Sequence, residues 1–415
     1  MIKESFDVAV IGGGPAGIMA AGRAAELGAK VVLIEKNDKL GVKLLLTGKG
    51  RCNLSHAEFN VRKFVENFGQ GGDFLFSPLS LFGVKDAMEF FEKRGLRLKT
   101  ERGQRVFPLS DRASDVLGVL VGYLRKNKVN VMTSSEVTGI RKNNNQISKI
   151  ILKEKEIVAD KYIFSTGGKS YAQTGSTGDG FRWAKQLGHT IIELQPVLTP
   201  IEIKEKWIKE VQGLSLKNVN ISAWQNNKKK DEAFGEALFT HFGLSGPIIL
   251  DLSKEVGRLL KTGEVKLLLD LKPALDFIKL DNRIKRDFAK YNNKLFKNSL
   301  NDLLPQKLIP LIIRFSGINP EKKVNTITKE ERSKLVKSLK KIEMSVLKVC
   351  GFDQAIVTTG GVSLKEIDSK TMKSKIIDNL FLAGEIIDLD GPTGGYNLQV
   401  CWTTGYLAGQ SSAGK

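Results

Sequence analysis

The stretch Phe6–Glu35, FDVAVIGGGPAGIMAAGRAAELGAKVVLIE, dictates the architecture. An apolar, mostly β-branched run (Val8, Val10, Ile11) ends in Gly12, Gly14 and Gly17, spaced G-x-G-x-x-G. Pro15 and Ala16 stand between the glycines, small residues recur at Ala21, Ala25 and Gly28, and a second apolar run, Val31 to Ile34, ends in the acid Glu35. The order is strand, glycine turn, helix, strand, acid. Gly12 allows the tight turn, Gly14 lets a pyrophosphate approach the backbone, and Gly17 lets the helix lie on the strand. The first N–H groups of that helix face the phosphates. Glu35 follows Gly14 by 21 positions, and an acid that binds the ribose is expected about 20 residues on. The pattern predicts a dinucleotide-binding strand–helix–strand unit.

Lys36 to Asn53, KNDKLGVKLLLTGKGRCN, is glycine-rich, basic and too irregular for a long helix. A loop at this point of such a fold passes beside the dinucleotide. Lys43, Lys49 and Arg51 are placed to meet its phosphates, and the backbone of Thr47, Gly48, Lys49 and Gly50 has the composition of an anion nest. Lys36, Cys52 and Asn53 complete this cofactor-facing stretch. The plain alternative is a solvated basic loop.

Helical spacing follows from Val84 to Arg94, and a short hairpin over Leu96–Phe107 turns at Arg102-Gly103. Ser110 or Asp111 is placed to cap a helix running to about Lys126. Val129–Met132 reads as a buried strand. Val137 to Ile163 alternates apolar and polar residues, broken at Asn143–Asn145 and at Lys155-Glu156, which predicts an antiparallel meander. Val137, at its start, is counted among the cofactor contacts. Tyr162–Phe164 then runs into Ser165, Thr166, Gly167 and Gly168, a strand end that returns the chain past the dinucleotide. Asp179-Gly180 opens a helix ending near Leu187-Gly188.

Near Pro196 and Pro200 the character changes to strands with amide-rich hairpins. Pro273 to about Leu339 is helical, with breaks at Pro305, Pro310 and Gly317–Pro320, and Ala355–Val362 restores the style of the first half. This predicts a discontinuous dinucleotide domain, 1–193 with 355–415, an inserted β domain, 194–272 with 342–354, and a helical subdomain, 273–341. Leu380–Gly384 is a last buried strand, leading through Glu385 and Asp390 into GPTGGYNLQ, Gly391–Gln399, and a final helix. A terminal fingerprint, a central Thr-Gly-Gly and a closing glycine loop favour FAD over NAD. The helix beginning near Tyr396 aims its positive end at a flavin ring, which stabilises negative charge in the reduced form. Asp390 is placed to bond the ribityl hydroxyls.

Composition excludes several classes. The chain has 415 residues, 41% of them hydrophobic and 27% charged, and no run long enough to cross a membrane. Three cysteines without paired spacing and three histidines argue against a disulfide framework and a metal centre, and fit a reducing cytoplasm. The N-terminus enters its first strand at once, leaving no room for a signal peptide. The net charge is +20, and 279–341 carries 17 basic against 6 acidic residues. That surface suits a polyanion such as RNA, or is a solvated helical face.

Several segments resemble one family. TGKGRCN (Thr47–Asn53), GGKSYAQTGSTGDG (Gly167–Gly180), LFTHFGLSGP (Leu238–Pro247), TTGGVSLKEID (Thr358–Asp368), TMKSK (Thr371–Lys375) and LAGEIIDLDGPTGGYNLQ (Leu382–Gln399) are similar to signatures of the YhiN-like, or aminoacetone oxidase/BaiN-type, bacterial flavoproteins. Ala172 departs from the proline expected after Ser170-Tyr171. The resemblance implies FAD held by a split Rossmann-type domain, a parallel sheet with a β-meander, and a β-barrel-like and a helical domain in the insertion. It also implies redox activity on unsaturated steroid-like substrates or small amino-ketones.

The expectation is an FAD-dependent oxidoreductase moving hydride between flavin N5 and a small ketone, amine or enone, with no metal. The alternative is a flavoprotein that binds or modifies RNA through 279–341. The expected cofactor set is completed by Gly384, Glu385, Gly391, Gly394, Gly395, Tyr396 and Asn397. Candidates for the chemistry are Arg51, Asn53, Tyr396 and His241, the last in Thr240-His241-Phe242, where it either serves the flavin site or packs the turn. Cys52 beside Arg51 reads chiefly as a buried structural thiol. No second glycine fingerprint occurs in the insertion, so NAD(P)H would bind only transiently, or oxygen would reoxidise the flavin.

Overall fold

The computed structural model describes residues 2–414. The chain forms two compact units, one built up to Pro196 and again from Ala355, the other Val197–Gln354. The first is organised on the strand Ile2–Ile11, paired in parallel with Val31–Ile34 on one side and Lys155–Phe164 on the other. Asn130–Met132 extends the sheet beside Val31–Ile34. The long strand Lys155–Phe164 serves two neighbours. Its early part meets the meander at Ile150↔Ile157, and its end meets Leu380–Leu382 in parallel. Val8, Val10, Val31 and Leu33 are buried, as a parallel sheet covered on both faces requires.

The helix Pro15–Glu26 follows the glycine turn and packs against the C-terminal helix Tyr396–Ser412. A Cβ on Gly405 would lie 2.4 Å from the Ala16 carbonyl oxygen, and one on Gly409 2.3 Å from that of Ala20. The small residues of both helices let their backbones approach this closely.

Three local expectations are corrected. The helix Ala113–Lys126 is preceded by Arg112 without a side-chain cap, not by Ser110 or Asp111. Asp111 instead adopts a left-handed backbone and gives its carboxylate to Arg51 and Lys99, a tertiary demand that overrides capping. The second meander turn falls at Lys153-Glu154, between strands ending at Leu152 and starting at Lys155. Val357–Val362 pairs with Ile191–Val197 in a separate two-stranded sheet.

One buried polar cluster ties this unit together. His189 Nδ1 lies 3.0 Å from Glu366 Oε2 and its Nε2 lies 3.0 Å from Ser374 Oγ. The order resembles a hydrolytic triad, but Ser374 Oγ accepts from the N–H groups of Ile376 and Ile377 at 3.0 and 2.9 Å and is buried. It is a strut, not a nucleophile. Burial lowers the His189 pKa, partly offset by Glu366. Burial pulls Glu366 upward, yet bonds from Thr190 and His189 hold it below the ordinary range. Unfolded, the imidazole binds its proton near pH 6.5; folded, it does so only at lower pH. The unfolded chain therefore gains the proton first, and stability is lost as pH falls below about 6.5. Glu366 acts in the same direction at lower pH. The melting temperature should drop between pH 7.5 and 5.5, and His189→Gln should flatten that drop; an unchanged slope would count against the strut.

The second unit is a closed barrel in the order Ile201–Ile203, Gly243–Ser245, Lys228–Phe239, Ser215–Gln225, Lys266–Asp270, Ile342–Val349. Leu280, Ile284, Leu311, Leu335 and Leu339 of the helical stretch share one core with Ile221, Leu267 and Leu269 of the barrel. On the helices Phe277–Lys290 and Lys329–Lys340, the half-buried acids are paired: Asp281 with Arg332 (2.5 Å), Asp287 with Arg283 (2.9 Å), Glu331 with Lys322 (2.7 Å), while Glu330 is exposed. Arg286, Lys334 and Lys337 are exposed, and Lys279 and Lys290 are exposed but paired with Asp276 (3.6 Å) and Asp302 (2.7 Å). Among the described residues no helix is long and apolar enough to cross a membrane.

Candidate functional site

The glycine turn separates steric need from open space. Gly12 sits at φ +104°, and a Cβ there would lie 2.5 Å from the Ser165 carbonyl oxygen. A Cβ on Gly17 would lie 1.9 Å from the Gly12 oxygen and 2.5 Å from Ser165 Oγ. Gly14 has no atom within 4 Å of the same position. It precedes a helix with no side-chain cap and with Pro15 first, so the N–H groups of the opening turn are left for a ligand.

The Glu35 carboxylate is buried and oriented by backbone, accepting from Gly13 N–H at 2.7 Å and Asn37 N–H at 2.8 Å. Its own carbonyl accepts from Ser135 N–H, which brings the segment leading to Val137 alongside. Lys36 Nζ turns to Thr177 Oγ1 (2.6 Å) and Asp179 Oδ2 (3.1 Å), and Asn37 donates to the Thr174 carbonyl. The loop Gly167–Gly180 therefore lies against Lys36 and Asn37.

In the following loop Gly48, Lys49 and Gly50 take φ of +57°, +59° and +84°. Thr47 Oγ1 donates back to Leu44 O. Lys43 Nζ pairs with Glu385 Oε2 at 2.8 Å, and Glu385 Oε1 accepts from Thr358 N–H. Arg51 is engaged by Glu101 (2.5 Å) and Asp111 (2.6 Å) and lies over the Phe107 ring, so its charge is compensated. Cys52 is buried and its thiol is pushed up to about 12, which leaves it unreactive. Asn53 Oδ1 and Thr166 Oγ1 are buried without a partner among the described residues. A Cβ on Gly168 would lie 2.5 Å from Thr358 Oγ1, and Gly167 takes φ +74°.

The closing segment returns to the fingerprint. Gly384 N–H donates to Thr404 Oγ1, and a Cβ on Gly384 would lie 2.8 Å from the Ala16 Cβ. Asp390 Oδ1 accepts from Thr359 Oγ1 at 2.5 Å. Asn397 braces the loop, accepting from Gly391 N–H and donating to the Gly391 carbonyl. Gly394 and Gly395 have φ of +108° and +104°, and the helix they open also lacks a side-chain cap. The Tyr396 ring stacks on His56 with centroids 4.3 Å apart and lies 4.9 Å from Phe64.

No sequence motif marks His56. Its strand is only Ser55–His56, too short for a period-two signal; the one hint was a histidine three positions after Asn53. His241 is the histidine that stands in a motif. It belongs to the second unit, exposed, with its ring edge against Phe242.

The residues present fit FAD. Two uncapped helix starts, an open position at Gly14, an oriented Glu35 and the unpartnered Asn53 Oδ1 and Thr166 Oγ1 all fall on the segments expected to hold it.

The family model described as HI0933-like protein Rossmann domain matches residues 6–411. The chain is 31% identical over 409 residues to the 3-dehydro-bile acid delta(4,6)-reductase of Clostridium scindens, covering 98% of both. It is 27% identical over 410 residues to the ribosomal RNA dihydrouridine synthase of Escherichia coli, again covering 98% of both. The structure is similar in fold to the 3-ketosteroid-delta4-(5alpha)-dehydrogenase of Rhodococcus jostii, with TM-score 0.54, 15% identity, and 99% and 97% of the two chains covered.

Proposed function

The chain belongs to the HI0933-like Rossmann family, as an FAD-dependent oxidoreductase, and from that premise we propose that it reduces a carbon–carbon double bond conjugated to a carbonyl group. One observation carries this. Relatives matched over nearly their full length are named for different substrates but for one chemistry: a bile acid delta(4,6)-reductase and ribosomal RNA dihydrouridine synthases all saturate such a bond. When bound, FAD supplies a two-electron hydride carrier. The chain's own residues hold it: the Pro15–Glu26 helix start and Gly14 take the pyrophosphate, Glu35 the adenosine ribose, and Asn53 Oδ1 offers an acceptor for a ring or ribityl donor. The start of the Tyr396–Ser412 helix favours negative charge. NADH or NADPH is the transient donor in this reading, since saturating a double bond consumes a hydride that oxygen cannot supply. The balance is one double bond saturated, one NAD(P)H oxidised and one proton taken up.

The protein should purify yellow and release FAD on denaturation. After anaerobic reduction by NADH or NADPH, a steroid enone should reoxidise it faster than an isolated alkene or a saturated ketone. Colourless protein that takes up no FAD, or a reduced flavin indifferent to every conjugated enone and to uridine in RNA, overturns the reading.

The exposed cations Arg286, Lys334 and Lys337, with the name of the Escherichia coli relative, motivate a second form of it, in which the conjugated bond is that of a uridine in RNA. Binding to a ribosomal RNA fragment should then weaken steeply as salt rises. No binding at low salt removes this form and leaves the small-molecule one.

A further inference from the structure

We propose that His56 is a positioning residue: it fixes the orientation of the Gly394–Gly395 peptide and so presents the Gly395 N–H, together with the first turn of the C-terminal helix, as a donor set for negative charge. The inference rests on the flavin reading above and deepens it. His56 Nδ1 lies 3.2 Å from the Gly394 carbonyl oxygen. A carbonyl can only accept, so Nδ1 carries the hydrogen. No described peptide is cis, and in a trans peptide the N–H points opposite to the C=O. With the Gly394 carbonyl held at His56, the Gly395 N–H is directed away from it.

A lock is needed here. Both residues are glycine at φ +108° and +104°, and a peptide between two glycines turns over at little conformational cost. The surrounding contacts hold the helix but not this peptide. Ser55 Oγ bonds Gln399 Oε1 at 2.7 Å, and Trp402 Nε1 donates to the Leu54 carbonyl at 2.9 Å. Stacking on Tyr396 at 4.3 Å and 23° fixes the imidazole plane. Burial lowers the His56 pKa, partly offset by the bond to Gly394, so the ring is neutral near pH 7.

The test uses the FAD-loaded protein and two variants. His56→Phe keeps the stack and removes the donor; His56→Asn replaces the ring with an amide whose N–H stands in for Nδ1–H. If the peptide is released, preference for the reduced flavin falls. His56→Phe should lower it about tenfold, about 30 mV more negative for a two-electron couple, with an altered visible spectrum, while His56→Asn should keep the wild-type potential. Should His56→Phe fail to fold, His56→Leu gives the same measurement. FAD-loaded His56→Phe or His56→Leu with the wild-type potential, or His56→Asn shifted equally, overturns the proposal and leaves the flavin reading standing. Wild-type protein that takes up no FAD overturns both.

Discussion

Gly17→Ala should yield protein without flavin and with a markedly lower melting temperature, whereas Gly14→Ala should fold normally and lose only cofactor affinity. The contrast follows from where each new methyl would stand. At Gly17 it falls 1.9 Å from the Gly12 carbonyl oxygen and 2.5 Å from Ser165 Oγ. The nearer atom is backbone at a turn with φ +104°, so it cannot rotate away. The helix must lift from the strand, at about 3 kcal/mol, the upper end for overpacking. At Gly14 the methyl meets no atom within 4 Å, so folding is spared. The space it fills is the one a pyrophosphate needs to reach the opening N–H groups. Thermal unfolding of the apoproteins and FAD titration separate the two effects. Gly14→Ala that binds FAD as tightly as wild type would remove the pyrophosphate from this turn.

The sequence carries the fold wherever neighbouring residues decide it. Phe6–Glu35, the meander beginning at Val137, Leu380–Leu382 and the long terminal helix are legible because apolar periodicity and glycine spacing are local signals. Residue patterns alone show the closed barrel only as strands, and the barrel itself is implied by the family resemblance, since closure depends on Ile201–Ile203 meeting Ile342–Val349, about 140 residues apart. The site is legible in its backbone and less so in its charges. Arg51 reads as free charge beside a phosphate, but its partners Glu101 and Asp111 lie 50 and 60 positions away. Lys43 meets Glu385 across 342 positions and Lys36 meets Asp179 across 143. No local pattern announces such pairs, nor the placement of His56 beneath Gly394. They arise when three separate segments are brought to one sheet end.

Gly405→Ala and Gly118→Ala are the same substitution in two helices, and they should change stability in opposite directions. In a helix interior alanine is favoured over glycine by about 1 kcal/mol. At Gly118, exposed in the helix Ala113–Lys126, a Cβ meets nothing within 4 Å, so that gain is realised and the melting temperature should rise. At Gly405 the Cβ would stand 2.4 Å from the Ala16 carbonyl oxygen and 3.0 Å from its Cα. Overpacking of about 1–3 kcal/mol opposes the gain, and because both contacts are backbone the upper value applies and the steric cost wins. The consequence reaches the site. The Pro15–Glu26 and Tyr396–Ser412 helices present the two uncapped starts, and their spacing is set where Gly405 and Gly409 meet Ala16 and Ala20. A pyrophosphate and a flavin ring belong to one molecule, so displacing one helix start from the other costs affinity as well as stability. Gly405→Ala should therefore lower the melting temperature and weaken FAD binding together, while Gly118→Ala raises the first and leaves the second unchanged. Equal and same-signed effects on stability would show that helix propensity, not the contact with Ala16, governs this interface.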